Sequence, residues 1–292
     1  MMKPLHAMIG GAQKAGTTSL VNYLAQHPRL CVHNGRELTY FVNDEEYARG
    51  FDAVAVERYA HADADQLLIA KSAGVLDLPE AVDRLKRHNP NVKLVFLLRH
   101  PVDRAYSAYW FARQMGWEDI DRFEDALEAG ADRFSQGDWV RRRNTAYLER
   151  GLYAKHLRQV YARFDPQQVR VFLVEDLKAD AAGLCRQVFE FLGVGADFVP
   201  DVTRRSNTAA APRWAGVSRL MARERGWKRL ARAVLPRSVG KQVKHALRAW
   251  NAAPFTPPPM DPQTRRRLIA YFAQPNAELA DLLGRDLHHW NQ

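Results

Sequence analysis

The stretch that decides the fold is LHAMIGGAQKAGTTS, residues 5–19. Leu5–Ile9 is a short apolar run typical of a buried strand, and two glycines follow it directly. Thr17–Gln26 carries leucines four residues apart and ends before Pro28, which predicts a helix. Because small residues let backbone N–H groups approach an anion, and a helix N-terminus adds partial positive charge, this strand, loop and helix predict an anion-binding site.

The loop is similar to a Walker A phosphate loop but departs from it at one position. Gly11 and Gly16 have the expected four-residue gap, yet Thr17 stands where the Walker lysine is expected. Lys14, inside the loop, supplies the positive charge instead. A triphosphate site needs its lysine on the β- and γ-phosphates and a hydroxyl on Mg²⁺. The displaced lysine therefore favours a shorter, metal-free anion such as a 5′-phosphosulfate; the alternative is an ordinary turn with a solvated lysine.

A second candidate anion site follows the clearest strand of the sequence, Val92–Leu98. Arg99 comes directly after this strand, at the carboxyl end where open α/β sheets bind ligands, and Pro101 fits the first turn of a helix. Ser107 lies about two turns into that helix. Arg99 can donate two hydrogen bonds to one phosphate and Ser107 a further one. The alternative is an arginine and a serine with structural roles.

Apolar strands and helices alternate along the rest of the chain. The sequence predicts a helix over Gly151–Phe164, a buried strand over Val169–Val174 and a closing helix over Pro262–Leu283. Since continuous apolar strands between helices are typical of a parallel sheet covered on both faces, we expect an α/β fold. Its central parallel sheet is expected to be P-loop-like and flanked by helices, within a single domain spanning residues 1–292.

Composition excludes several classes of protein. The 292 residues are 47% hydrophobic and 26% charged, which excludes a wholly disordered or a fibrous chain. No apolar run approaches the roughly 20 residues of a membrane span. A cleaved signal peptide is not expected, because the first motif begins at Gly10. Two cysteines, Cys31 and Cys185, form no disulfide framework, so we expect reduced thiols and a cytoplasmic location.

The positive charge is concentrated in one segment. The net charge is +10, and Thr203–Arg248 contains thirteen Lys and Arg but one acidic residue, Glu224. Apolar residues recur there at three- and four-residue spacing, which predicts a basic amphipathic helix, an insertion or lid at residues 203–250, bent near Gly226. Three roles stay open: packing on the core with solvated charges, a lid or peripheral contact with an anionic membrane, and an anionic carbohydrate groove.

Together the two anion motifs make the sequence resemble the sulfotransferases that use 3′-phosphoadenosine 5′-phosphosulfate (PAPS). In that family G-x-x-K-x-G-T-T binds the 5′-phosphosulfate, and R-x-P-x-x-R-x-x-S binds the 3′-phosphate through its first Arg and its Ser. The resemblance implies PAPS as co-substrate and no metal. It also implies that the donor-binding residues are Lys14, Ala15, Gly16, Thr17, Thr18, Arg99 and Ser107, with Lys14 also stabilising the leaving group.

Further stretches resemble the heparan sulfate N-deacetylase/N-sulfotransferase and O-sulfotransferase branch. These are Gly35–Phe41, Arg150–Tyr153 and Pro258–Pro262. The resemblance is to the bacterial sulfotransferases allied to that branch. By this resemblance Glu37 is the catalytic base, and Lys71 contacts the acceptor. His33, close to Glu37 in sequence, is the second candidate for the base.

The sequence departs from that branch at two places. Phe111 stands where many members carry a His one turn after the 3′-phosphate Ser. The eukaryotic Lys-Gly-Arg loop before the last helix is missing, because Asn251–Thr256 holds no such residues. Arg204–Thr208, with Arg213, is the candidate replacement for closing over the donor.

The resemblance implies sulfonyl transfer to a hydroxyl or amino group, and we expect a carbohydrate or glycolipid acceptor. A P-loop kinase or NTPase is the first alternative, with Val174-Glu175-Asp176 as a candidate Walker B acid pair. The second is a basic nucleic-acid-binding module, supported by the basic segment. The sequence contains no recognisable nucleic-acid-binding motif, so no nucleic acid partner is expected.

Overall fold

A computed structural model of the chain describes residues 3–130, 144–203, 210–212, 252–254 and 256–292. The chain divides into two compact units. The first consists of Met1–Arg104, Leu152–Asn207 and Ile269–Gln292, and the second of Ala105–Gly151 and Thr208–Leu268. The organisation of residues 1–292 as a single domain stays a prediction.

The first unit is built on a five-stranded sheet in which every neighbouring pair is parallel, in the order β2-β3-β1-β4-β5. The strands are β1 (Ala7–Gly11), β2 (Leu30–Val32), β3 (Leu67–Lys71), β4 (Lys93–Leu98) and β5 (Val169–Leu173). Helices lie between these strands along the chain. The prediction of an α/β fold with a parallel, P-loop-like central sheet flanked by helices is confirmed.

The central strand β1 is free of polar side chains along its whole length, and neighbouring strands cover it on both edges. All five residues of β1 are buried, and Ala7 pairs with Ile69 of β3 on one side and Lys93 of β4 on the other. β1 begins two residues later than the predicted Leu5–Ile9 and extends two residues further, to Gly11. Gly10 permits this extension, since a Cβ at that position would lie 2.5 Å from the side chain of Phe96.

In the described part of the chain, the helices that the sequence predicts begin and end close to the predicted residues. The helix predicted over Thr17–Gln26 ends at Leu24, and the closing helix has the predicted bounds. The helices are α1 (Thr17–Leu24), α2 (Asp44–Tyr47), α3 (Phe51–Arg58), α4 (Pro79–His88), α5 (Pro101–Met115), α6 (Phe123–Glu128), α7 (Tyr153–Tyr161), α8 (Val174–Ala179), α9 (Ala181–Leu192) and α10 (Pro262–Leu283).

The second unit contains most of α5, all of α6 and a short antiparallel pair, β6 (Ala210–Pro212) and β7 (Ala252–Pro254). Its aromatic core includes Tyr109, whose ring lies 5.3 Å from that of Phe123. Glu118 is buried beneath it and accepts a hydrogen bond of 2.9 Å from the hydroxyl of Tyr147. Because a buried carboxylate is costly unless it is hydrogen-bonded, this contact fixes the loop after α5.

The basic segment falls largely outside the described residues, which hold only Thr203 and 210–212 of it. The predicted amphipathic helix, the bend at Gly226, and the closing role of Arg204–Thr208 with Arg213 therefore stay predictions. Within the described ranges, no helix combines the length and apolar character needed to cross a membrane.

Candidate active site

The loop between β1 and α1 folds back against the sheet. The N–H of Ala12 donates to the carbonyl of Leu97 in β4 over 2.7 Å, and the N–H of Ala15 donates to the carbonyl of Ala12 over 3.2 Å. Lys14 and Gly16 both have left-handed backbone, with φ of 68° and 86°. This conformation is costly for a lysine and easy for glycine, so the sharp turn before Thr17 explains why residue 16 is a glycine.

The N-terminus of α1 is available to an anion. The first amides of a helix have no partner inside the helix, and they carry the positive end of its dipole. No acidic side chain occupies the first turn of α1. Thr17, which begins the helix, is buried, and Thr18 is partly exposed. The loop therefore presents amides, the helix end and hydroxyl groups in one place.

Two further cations lie near the ammonium of Lys14. Burial and, to a lesser extent, the charges of Arg99 and Lys71 together lower its pKa to about 8. Placing like charges together in a partly buried site costs free energy unless an anion compensates them. The electrostatics therefore point to a site built for a strongly anionic ligand.

Arg99 joins the second predicted motif to the loop. Its Nη1 atom donates a hydrogen bond of 3.2 Å to the carbonyl oxygen of Lys14. Its own carbonyl accepts a hydrogen bond of 2.8 Å from the hydroxyl of Tyr153, at the start of α7. The structure thus brings together Lys14 and Arg99, which the sequence places 85 residues apart.

Ser107 lies on α5, partly exposed and about two turns from the start of the helix. It belongs to the second compact unit, whereas Arg99 belongs to the first, so their joint 3′-phosphate site stays a prediction. Phe111, one turn further along α5, packs edge-on against Trp117 with ring centroids 5.6 Å apart. The residue that replaces the family's His therefore has a packing role here.

Lys71 connects the phosphate loop to Glu37. Its Nζ atom donates a hydrogen bond of 3.1 Å to Oγ1 of Thr18 and lies 3.7 Å from Oε1 of Glu37. The N–H of Leu38 donates to the carbonyl of Lys71 over 2.9 Å, which holds the Glu37 loop at the end of β3. Burial lowers the pKa of Lys71, and the Glu37 carboxylate opposes that shift. The structure therefore unites Lys71 and Glu37, and it adds the contact to Thr18.

His33, the second candidate for the base, is buried directly after β2. Its Nδ1 atom lies 3.2 Å from the carbonyl oxygen of Asn34, which can only accept, so Nδ1 carries the proton. Its Nε2 atom has no hydrogen-bond partner within the described parts of the chain. Burial lowers the pKa of His33, and the charges of Lys71 and Arg58 act in the same direction. The imidazole is therefore neutral near pH 7.

Two supporting tyrosines were not assigned a role from the sequence. Tyr153 anchors Arg99 as described above, and the hydroxyl of Tyr106 donates to the carbonyl of Pro258 over 2.8 Å, within the second unit. Tyr106 lies next to Ser107 in the second anion motif, and Tyr153 ends the Arg150–Tyr153 stretch at the start of a helix. Their position beside the motifs could have marked both tyrosines as candidates for a supporting role. Their hydrogen-bond partners could not be predicted, because they depend on the tertiary fold.

The candidate Walker B pair has structural partners. Asp176 forms an ion pair with Arg285 and accepts a hydrogen bond of 2.8 Å from the N–H of Leu173. Glu175 accepts a hydrogen bond of 3.4 Å from Nε1 of Trp290. These contacts give both acids a role in holding α8 to the C-terminal region, which weakens the kinase or NTPase alternative.

The similarity of this chain to known proteins supports the family resemblance that its motifs indicate. Residues 4–209 match the sequence model of the family described as Sulfotransferase domain. That range contains the phosphate loop, Glu37, Lys71, Arg99 and Ser107. The match covers more than half of the chain.

Similar curated proteins include the human bifunctional heparan sulfate N-deacetylase/N-sulfotransferase 3, which is 27% identical over 298 residues. The alignment covers 97% of this chain but 30% of that relative, so the chain spans under a third of its length. A membrane-associated sulfotransferase of Dictyostelium discoideum is 35% identical over 106 residues, covering 36% of this chain and 22% of the relative.

A solved structure extends the likeness to three dimensions. The crystal structure of a sulfotransferase from Alicyclobacillus acidocaldarius superimposes with a TM-score of 0.73 and 25% sequence identity. The alignment covers 100% of both chains. This chain therefore shares its fold with that sulfotransferase.

Proposed function

This chain belongs to the sulfotransferase family, and from that premise we propose that it transfers a sulfonyl group from PAPS to a hydroxyl or amino group of an acceptor. The observation that carries the proposal is the link from the phosphate loop through Lys71 to Glu37. Lys71 Nζ lies 3.1 Å from Thr18 Oγ1 and 3.7 Å from Glu37 Oε1. A carboxylate beside an anion-binding loop is what transfer from an anionic donor to a protic acceptor requires.

The described residues fit the 5′-end of the donor. The loop amides, the N-terminus of α1 and the ammonium of Lys14 would hold the 5′-phosphosulfate, with Thr17 and Thr18 as hydroxyl donors. Arg99 lies against the same loop through its hydrogen bond to the Lys14 carbonyl. Together with Ser107 it would hold the 3′-phosphate.

In the proposed reaction, a lone pair on the acceptor oxygen or nitrogen attacks sulfur in line with the bridging oxygen of the donor. The bond from sulfur to that oxygen breaks, and adenosine 3′,5′-bisphosphate (PAP) leaves with its electron pair. Lys14 stabilises the negative charge that develops on the bridging oxygen, and Glu37 takes the acceptor's proton. Positioning and charge stabilisation then supply most of the rate enhancement, as in phosphoryl transfer.

For the acceptor we propose a carbohydrate or glycolipid. The supporting observation is the similarity to a protein named for N-sulfation of heparan sulfate, which covers nearly all of this chain. A carboxylate base such as Glu37 is compatible with either a sugar hydroxyl or an amino sugar.

The remaining expectations are part of the same proposal. We propose one sulfotransferase domain over residues 1–292, a cytoplasmic location, and turnover that needs no metal. Peripheral contact with an anionic membrane would use the basic segment, whose net charge of +12 over Thr203–Arg248 supports it. Vesicle co-sedimentation with and without anionic lipid tests that contact.

The direct experiment is transfer of sulfur-35 from labelled PAPS to a panel of glycans, amino sugars and glycolipids, with EDTA present. We expect a labelled product from wild-type protein. Glu37→Gln should give at least about 10²-fold less of that product. A thermal-shift panel of PAP, ATP with Mg²⁺, and duplex DNA separates the alternatives, because a ligand that binds the native state raises its melting temperature. The proposal would be wrong if ATP with Mg²⁺ were the one ligand of the panel that stabilises the protein and no sulfur-35 were transferred.

A further inference from the structure

Lys71 is a buried ammonium with two different neighbours. Its side chain is 7% exposed and lies at the carboxyl end of β3, where the sheet meets the phosphate loop. Within the described part of the chain, the carboxylate of Glu37 is its single partner at ion-pair distance. Since a buried charge without a partner is costly, the protein without donor relies on Glu37 as the counter-ion of Lys71.

The second neighbour connects Lys71 to the donor site. Thr18 Oγ1 accepts the hydrogen bond from Lys71 Nζ, so the hydroxyl hydrogen of Thr18 points elsewhere and can be donated to an anion. The same ammonium also lowers the pKa of Lys14 through its charge. An anion bound at the loop would therefore lie within the electrostatic reach of Lys71.

We propose that Glu37 and the sulfonate of the donor compete for Lys71, so that donor binding releases the base. This rests on the function proposed above. Without donor, Lys71 holds Glu37 beside the loop as an ion pair. With PAPS bound, the ammonium turns toward the sulfonate oxygens and keeps its proton, and the Glu37 carboxylate becomes available to the acceptor. Lys71 is thus a positioning residue for the base, and it couples activation of Glu37 to the presence of transferable sulfonate.

Competition for one cation predicts a gain of affinity when the competing carboxylate is removed. Glu37→Gln should bind PAPS about tenfold more tightly than wild type, a coupling of ordinary size between two sites. Its affinity for PAP, which lacks the sulfonate, should stay within about twofold. Glu45→Gln, an equal change of charge at an exposed position, serves as the control and should alter neither affinity. Titration calorimetry without acceptor measures all three proteins.

A double-mutant cycle shows whether the effect passes through Lys71. In Lys71→Met, which removes the shared ammonium, the additional Glu37→Gln change should no longer improve PAPS binding. Lys71→Arg keeps the charge and should keep part of the gain. If Lys71→Met does not fold, as judged by circular dichroism, the comparison of PAPS with PAP in Glu37→Gln decides the question alone.

Three results would overturn the inference: equal PAPS affinity of Glu37→Gln and wild type, an equal gain for PAP, or a gain that survives in the Lys71→Met background. Each leaves the proposed function intact, because wild-type protein would still bind PAPS. Failure of wild-type protein to bind PAPS at all would overturn the proposed function and the inference with it.

Discussion

Arg99 donates a hydrogen bond from Nη1 to the carbonyl oxygen of Lys14, 3.2 Å away, at the turn of the phosphate loop. The residue assigned to the 3′-phosphate thus also supports the loop assigned to the 5′-phosphosulfate. Because Lys14 holds a left-handed backbone conformation that a lysine rarely adopts, support at this carbonyl stabilises the turn. On the proposed function, donor binding and loop shape would therefore be coupled through the guanidinium of Arg99.

Arg99→Lys should weaken PAP binding by about 10- to 100-fold, because a lysine cannot donate two parallel hydrogen bonds to one phosphate and hydrogen bonds to charged groups contribute about 1.5–3 kcal/mol. Titration calorimetry with PAP measures the loss. Arg49→Lys, at an exposed ion pair with Glu57, is the control and should bind PAP like wild type. A loss below threefold in Arg99→Lys would contradict the assignment of Arg99.

Lys14→Met should stabilise the unliganded protein at pH 7. The folded-state pKa of Lys14 is about 8, below its usual value of 10.5, so the unfolded chain binds more protons between these two pH values. Wild-type stability therefore rises with pH across that window, and the full penalty is present below pH 8. Removing the charge should raise the melting temperature by roughly 5 °C at pH 7 and by little at pH 10.5.

Scanning fluorimetry at the two pH values measures this difference, and Lys14→Arg, which keeps the charge, should show no gain. PAP should raise the melting temperature of wild type but not that of Lys14→Met. If the methionine variant melts below wild type at pH 7, the charge of Lys14 is not the source of the penalty.

The strands that could be predicted are those whose apolar run ends at a residue that breaks or turns the chain. β4 ends at Leu98, shortly before Pro101, and the closing helix α10 begins at the predicted Pro262. β2 was missed because three residues, Leu30–Val32, are too few to show a periodicity. Helix α9 was also missed, although Asp180 caps its start and Gly193 ends it in left-handed conformation.

The residues of the candidate site could be predicted from the sequence, but the contacts between them could not. Lys14 and Arg99 could be named from the two anion motifs, and Glu37 and Lys71 from the family resemblance. Their proximity depends on the strand order, which places β3 beside β1 and β2 beside β3. Local sequence contains no information on that order, so the hydrogen bond from Lys71 to Thr18 could not be foreseen.

Tyr153→Phe should weaken PAP binding about fivefold without unfolding the protein. The Tyr153 hydroxyl donates to the carbonyl of Arg99 over 2.8 Å, and losing one such hydrogen bond costs about 1 kcal/mol. Titration calorimetry with PAP gives the affinity. Tyr161→Phe, which removes a hydroxyl from the other end of the same helix α7, is the matched control. An unchanged PAP affinity in Tyr153→Phe would show that this bond does not position Arg99.

His33 and Glu37 are the two candidates for the base, and paired substitutions distinguish them. Glu37→Gln should lower turnover by about 10²-fold or more, whereas His33→Asn, which keeps a donor for the Asn34 carbonyl, should lower it less than tenfold. Because burial, Lys71 and Arg58 all lower the pKa of His33, its imidazole stays neutral above pH 6.5. Above pH 6.5, the wild-type pH profile should then show no inflection that His33→Asn removes. Initial rates with an acceptor from the sulfur-35 screen measure the turnover of both variants and the pH profile. A larger loss of turnover in His33→Asn than in Glu37→Gln would assign the proton transfer to His33.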